Sequence, residues 1–471
     1  MQELKQWNAL GTNIAELRAK VKKSQVETRR LKQRIKELEQ SRNRWRNKYK
    51  ALQGSPMRVA RQDFGKNTKA QGYQYSLQTI QMSVYLYLVL GCGYRGIVKV
   101  LLYIQIEFGV LGVLPSKSII AVWVQKLGYY KYLHSEMEAS EPYGLIIDEC
   151  MVIGQQRLML ILGVQARKVK AKALTYEQVT VLSMTVKSSW KAKDITEVIE
   201  KVTEKMGNKP AYIISDGNSN LRKGIAESGC IRVADVSHQM ALLVEKYYRN
   251  DGDFISWQQA IAQAKFKGIM QDVAYLLPPK QRVVARFMNL DASIVWSKKI
   301  IACFEKLSSK EQDFFRPIQQ HKDFIDRIGI TFAISQQIVD ILKISGLSDQ
   351  SIQQCRDILT KYQTRVDGKL ISTIEEYLQT EKMKLPDEET VWHCCSNCLE
   401  SLFAKFKQKL PANPIYGITK QVLALPLRTN KGLKFDIRAA LEHVSKADLD
   451  QWGKVVLADN QVLRRKNVLK V

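Results

Sequence analysis

A chain of 471 residues with 45% hydrophobic content is long enough to bury a large core and to divide into several domains. Its 73 basic residues outnumber 46 acidic ones and leave a net charge of +27, which favours a polyanionic partner, because each Lys or Arg on a phosphate releases a condensed counterion. Nucleic acid leads an anionic membrane surface or a merely basic soluble protein as that partner. A small disulfide scaffold is excluded, since the eight cysteines lack framework spacing. MQELKQWNAL carries no signal-type apolar core. The apolar stretches Met82–Leu90 and Val110–Leu114 are too short to span a bilayer. The expected compartment is reducing: a bacterial cytoplasm, in association with the nucleoid, or a eukaryotic nucleus.

Residues 1–70 hold 19 basic and 6 acidic residues, about half the net charge in a seventh of the chain. A heptad seam runs from Ile14 to Leu52, apolar at nine of twelve positions and broken at Ser24, Thr28 and Arg42. A 3.5-residue repeat keeps one stripe facing a partner helix, so residues 1–55 are read as a basic coiled coil that makes a homodimer. A single amphipathic helix folded on its own chain is the alternative. Arg44 and Arg46 lie beside the seam as DNA-backbone contacts or as a solvated face.

Residues 56–74 read as a linker. Helices are expected over Tyr75–Leu90 and Tyr94–Phe108, and a third begins at Ser116, its N-cap. Short helices punctuated by Gly and Pro fit a helix-turn-helix unit over 75–138, with Ser116, Lys117, Ser118 and Gln125 toward DNA, although plain helical hairpins look alike.

From Pro142 the texture becomes α/β. Strands are expected at Tyr143–Ile147, Leu158–Val164 and Val179–Val186, then a helix at Ala192–Met206. A strand at Ala211–Ile214, a helix at Leu221–Glu227, a strand at Ile231–Val233 and a helix through Tyr248 follow. Residues 250–390 then read as almost wholly helical. A further helix carries CSNCLESLFAKFK, and a mixed basic tail closes the chain.

Asp148 and Asp216 each end a short apolar strand. Either alone reads as an ordinary turn residue. Two of them in this strand order resemble ligands at the strand ends of an open sheet. Cleavage of a phosphodiester puts negative charge on both the attacking and leaving oxygens, and two Mg²⁺ or Mn²⁺ ions held by carboxylates offset it.

At these residues the chain resembles the DDE transposases, whose catalytic domain is ribonuclease-H-like. Asp148 in LIIDE matches the first acid and Asp216 in IISDGN the second. Asp235-x-x-His238 looks like the C/D-x-x-H signature of the Mutator-like and hAT-like branches. Glu400, in a segment similar to S-N-x-x-E-S, matches the third acid. It lies 184 residues beyond Asp216, a gap like that of transposases with an all-helical insertion. Lys407 stands seven residues after Glu400, as in the Y-R-E-K signature of another branch, but His393 and Ser396 fill its Tyr and Arg positions.

The resemblance implies an α/β ribonuclease-H-like core with a mixed five-stranded sheet, interrupted by an all-α insertion and preceded by the coiled coil and helix-turn-helix. It divides the rest of the chain into a first catalytic segment (139–249), the insertion (250–390), a second catalytic segment (391–425) and a basic tail (426–471). It implies a DNA transposase, acting on double-stranded transposon ends and target DNA, with Asp148, Asp216 and Glu400 as catalytic metal ligands. Asp235, His238, Asn397 and Lys407 would support them. A transposase-derived DNA-binding protein without catalysis and a ribonuclease-H-like nuclease are the alternatives. Glu149 alternates to the opposite face from Asp148, and Glu375, Glu376 and Glu388 lack the motif setting of Glu400. Trp296, beside Lys298 and Lys299, is a base-stacking residue or a core Trp. Cys395-x-x-Cys398 with His393 and Cys394 offers one pair of zinc-type ligands, where a structural site needs four, so a packed helix face is the favoured reading.

Overall fold

The structure is a computed structural model. It describes residues 69–471 except 110, 136, 138–140, 154–155, 167–171, 280–289, 411–416, 431, 458–464, 466–467 and 470–471, with backbone alone at 149–152. Of the first 68 residues it describes only 35, 39, 40, 42 and 43, all helical. The coiled-coil reading, Arg44 and Arg46 therefore lie outside the described residues. Residues 70–471 form one compact unit.

Its centre is a five-stranded sheet in the order β3-β2-β1-β4-β5. β1 (Tyr143–Ile153), β2 (Gln156–Gln165) and β3 (Thr180–Lys187) form an antiparallel meander. β4 (Tyr212–Ser215) adds parallel to β1, and β5 (Arg232–Ala234) adds parallel to β4. The sheet is mixed, as expected. β1 is central, and Tyr143 to Asp148 are all buried, which explains why the strand reads as a continuous apolar run.

The two faces separate by alternation. Leu145, Ile147, Met159, Ile161 and Ile213 pack with helices Ala192–Met206 and Ser219–Glu227. Ile146, Leu158, Leu160, Tyr212 and Ile214 pack on the other side, against Leu399, Leu402 and Phe403. The helix Ala192–Met206 ends at Gly207, whose φ of 75° supplies the left-handed cap.

Among the described residues from 69 on, three helices precede the sheet: α1 (Leu77–Leu88), α2 (Tyr94–Phe108) and α3 (Lys117–Leu133). Ser116 caps α3, its hydroxyl accepting from the Ile119 amide at 3.4 Å. With α4 as Ala192–Met206 and α5 as Ser219–Glu227, the chain continues through α6 (Val236–Tyr248) and α7 (Gly252–Gly268). Next come α8 (Leu290–Cys303), α9 (Ser309–Gln319), α10 (Lys322–Ser345), α11 (Asp349–Lys361) and α12 (Gly368–Lys382). Then come α13 (Asn397–Lys407), α14 (Ile437–His443) and α15 (Lys446–Val456).

Two features differ from the sequence reading. First, the helical block divides. Trp257, Ile294, Phe315 and Ile328 build a separate core, whereas Ile338, Leu342, Ile352, Ile374 and Leu378 pack on the sheet side with Leu399 and Leu402. α10 joins the two cores. It is also the helix, among the described residues, that is long and apolar enough to cross a membrane, so the longest apolar stretch is longer than the sequence reading allowed. Its apolar side chains belong to both protein cores.

Second, much of the basic tail is packed structure. Leu427, Ala440 and Leu441 join the core of α1–α3, as does Ala424 just before the tail. Leu449 and Trp452 join the sheet-side core. Short helices with few apolar residues each give a weak periodic signal, and only their shared partner α3 makes them a layer.

Candidate active site

Asp148 pairs in register with Leu160, just before a β-bulge that separates it from Met151. It is 4% exposed and shares the sheet face of Ile146 by alternation. The parallel register sets Ile146 opposite Ile214, so Asp148 and Asp216 each lie two residues beyond a matched pair. Asp148 thus lies within β1, which runs on to Ile153, and not at a strand end as its apolar run suggested, whereas Asp216 directly follows β4; the parallel register sets the two at matched levels of adjacent strands.

Asp216 begins a tight turn. Its Oδ1 accepts from the Asn218 amide at 3.0 Å, and Asn218 in turn caps α5. Arg232 on β5 braces this turn from below. It donates to Ser215 Oγ at 2.9 Å, to the Ser215 carbonyl at 3.2 Å and to the Asp216 carbonyl at 2.6 Å. These bonds occupy the backbone carbonyl of Asp216 and leave its second carboxylate oxygen outside them.

Glu400 sits in the first turn of α13, and a chain of contacts carries that turn to the sheet. Gly144 has no Cβ where Tyr212 closes over β1; a Cβ there would strike the ring. Tyr212 stacks on Trp392 at 4.8 Å and accepts the His393 amide at 3.1 Å. Trp392 is bridged to Leu347 in both directions, and Val236 donates to the Cys394 carbonyl at 2.9 Å. Asp235 makes the last link. Its Oδ1 accepts the His238 amide at 2.8 Å, and its Oδ2 accepts the Ser396 amide at 2.6 Å and the Ser396 hydroxyl at 2.8 Å. One residue both caps α6 and holds the entrance of α13, which a cap alone would not do.

His238 Nε2 lies 3.0 Å from Glu400 Oε1. The hydrogen bond to Glu400 raises the imidazole to about 9 and holds the Glu400 carboxyl below its ordinary range. His238 also feels the charges of Asp235 and Asp216, and Glu400 feels Lys343. Among the described residues, no three His, Cys, Asp or Glu side chains gather in a group that could hold a metal ion. In kind, however, Asp148 and Asp216 are the hard oxygen donors that Mg²⁺ takes. Glu400, still 43% exposed at its side chain, is engaged with His238.

The remaining sequence assignments fall outside this constellation. Asn397 Oδ1 accepts from Ser237 at 3.5 Å, and Lys407 is exposed on α13. Ser116, Lys117 and Ser118 are exposed at the start of α3, and Gln125 is half-buried. Trp296 donates its indole N–H to the Leu276 carbonyl at 2.8 Å and packs edge-on against Phe315. Cys394, Cys395 and Cys398 are buried in the sheet-side core, and burial pushes the Cys395 and Cys398 thiols up to about 12. Sequence reasoning missed Arg232, Lys343 and Ser396. A Ser just ahead of an acid-bearing helix was a visible signal for the last. The other two had none.

No protein-family model matches the chain. No curated protein matches it either. Among solved structures, the chain is similar to the Drosophila P element transposase strand transfer complex. The identity is 12%, the match covers 83% of this chain and 100% of that one, and the TM-score is 0.40.

Proposed function

We propose that this chain is a transposase-like enzyme that cuts and joins double-stranded DNA, with Asp148, Asp216 and Glu400 as its catalytic acids. The observation that carries the reading is the sheet phase. Asp148 within β1 and Asp216 just past β4 lie at matched levels of adjacent parallel strands, and the Glu400 helix packs on the sheet face that Asp148 shares. The motif likeness of LIIDE, IISDGN and the SNxxES-like segment points the same way.

Asp148 and Asp216 would hold a divalent ion, and Glu400 would complete the set on leaving His238. When bound, Mg²⁺ or Mn²⁺ offsets the negative charge that develops on the phosphate oxygens. The chain's own residues do the positioning. Asp235 holds the entrance of α13, Arg232 holds the Ser215–Asp216 turn, and His238 holds the Glu400 carboxylate. Transposon ends and target DNA are the proposed substrates, and the basic N-terminal segment is the proposed dimerisation element.

The test is strand cleavage and joining with Mg²⁺ by Asp148→Asn, Asp216→Asn and Glu400→Gln. Loss of at least a hundredfold in each, with duplex binding kept, supports the reading. Joining by Asp216→Asn at the wild-type rate sinks it. The engagement of Glu400 by His238 favours a second reading, a transposase-derived DNA-binding protein without catalysis. Duplex binding by a wild-type chain that cuts nothing with either metal would select it. For the dimer, light scattering of a chain lacking residues 1–55 should show half the mass. An unchanged mass removes the coiled-coil proposal.

A further inference from the structure

Three half-buried cations gather around Tyr176 and Tyr87. Lys405 donates to the Tyr176 hydroxyl, with its ammonium 4.0 Å from the ring centroid. Lys409, just past α13, lies 5.5 Å from the ring centroid of Tyr87 and donates to the Gly91 carbonyl. Arg428 ends a 3-10 turn, Pro426–Arg428, and donates Nη1 to the Leu88 carbonyl at 2.9 Å. The buried Nε of Arg428 has no hydrogen-bond partner.

Among the described residues, none of the three cations makes an ion pair with a carboxylate. Lys409 feels Arg428 and Cys92, while Arg428 feels Tyr87, Tyr176 and Tyr94. The aromatic rings offset only part of the repulsion between Lys409 and Arg428. An anion would remove it. The cluster draws on the end of α1, the start of α2, the 3-10 turn Tyr176–Gln178, the end of α13 and the Pro426–Arg428 turn. At 3.6 residues per turn, Lys405 points roughly 140° away from Glu400 around α13, whereas Lys407 shares the Glu400 side.

We propose that Lys405, Lys409 and Arg428 form a phosphate-binding patch for the backbone of duplex DNA, on a surface separate from the acidic site. This deepens the reading of the chain as a DNA-acting protein and rests on it. The patch touches phosphates, not base edges, so it should bind without sequence preference.

The experiment measures fluorescence anisotropy of the full chain on two unrelated short duplexes across a salt series. The K405Q/K409Q double variant should bind about tenfold more weakly at low salt on both. Its salt slope should fall by about 2, one for each lysine taken off a phosphate. K405R/K409R should restore both. Unchanged affinity and slope in the double Gln variant overturn the proposal. If that variant melts early, the single Lys409→Gln and Lys405→Gln variants decide by the same readout. Cleavage that depends on Asp216 with an unchanged slope removes the patch alone. Binding that depends on Lys405 and Lys409 in a wild-type chain that never cuts removes catalysis alone and keeps the patch.

Discussion

Asp235 is 1% exposed, and a carboxylate removed from water that far must find donors inside the protein. It has three: the His238 amide, the Ser396 amide and the Ser396 hydroxyl. Asp235→Ala removes the cap of α6 and leaves buried donors at Ser396 without an acceptor. Stability should fall by about 3 kcal/mol in denaturant unfolding, the sum of a lost cap and an unmet buried donor. Asp235→Asn keeps one acceptor oxygen and should cost less. A melt unchanged by Asp235→Ala would remove its positioning role.

The His238–Glu400 pair makes a prediction with a definite sign. The imidazole is raised to about 9, so its contribution to stability is full below the ordinary histidine value near 6.5 and is lost as pH rises through about 9. Glu400 is lowered, so its contribution is present above the ordinary carboxylate range and is lost as pH falls through its depressed value. The pair is therefore strongest between those limits. Titration of the His238 ring by NMR should return toward 6.5 in Glu400→Gln. A midpoint that does not move would refute the pairing.

At the level of elements, α3 is the seam between the N-terminal helices and the tail. Gly128 lets it approach the 3-10 turn Lys420–Ala424; a Cβ there would overlap the Leu423 carbonyl. That carbonyl is backbone, so it cannot turn aside. Gly128→Ala should cost about 3 kcal/mol as overpacking, even though Ala favours helix by about 1 kcal/mol. Three residues on, Lys131 donates to the carbonyls of Thr429, Asn430 and Gly432 at 2.5, 2.9 and 2.7 Å. Lys131→Met leaves those carbonyls without their donor. Hydrogen exchange should speed up over residues 420–443, with the sheet amides unchanged. Equal protection in the variant would show that the lysine does not hold the tail.

For the molecule as a whole, basic charge is concentrated toward the start of the chain. Residues 70–471 form one compact unit, and residues 1–70 carry 19 of the 73 basic residues against 6 acidic ones. A chain beginning at Ala70 should unfold cooperatively and keep its helical signal. It should lose affinity for duplex DNA and show a shallower salt slope, because fewer counterions are released. A truncated chain that binds with the full slope would place the main electrostatic contacts within the compact unit.

The elements were legible in the sequence wherever the deciding pattern was local. Apolar runs of strand length marked β1, β2, β3 and β4, and Ser116 marked the start of α3. Asp216 could be placed just past its strand, but β1 continues beyond Asp148 to Ile153, because a ladder to β2 holds residues whose apolar run has already ended. What joins those elements is non-local. Ser396 reaches Asp235 across 161 residues, and Glu400 reaches His238 across 162. The division of the helical block between two cores, the burial of the tail against α3 and the gathering of Lys405, Lys409 and Arg428 carry no periodic trace. By itself, then, the sequence determined the charge, the strands and the apolar runs beside which two acids stand. Only the tertiary structure decided which partners those acids meet, because hydrogen bonds and side-chain packing are made with whatever the folded chain brings within reach, at any separation in sequence.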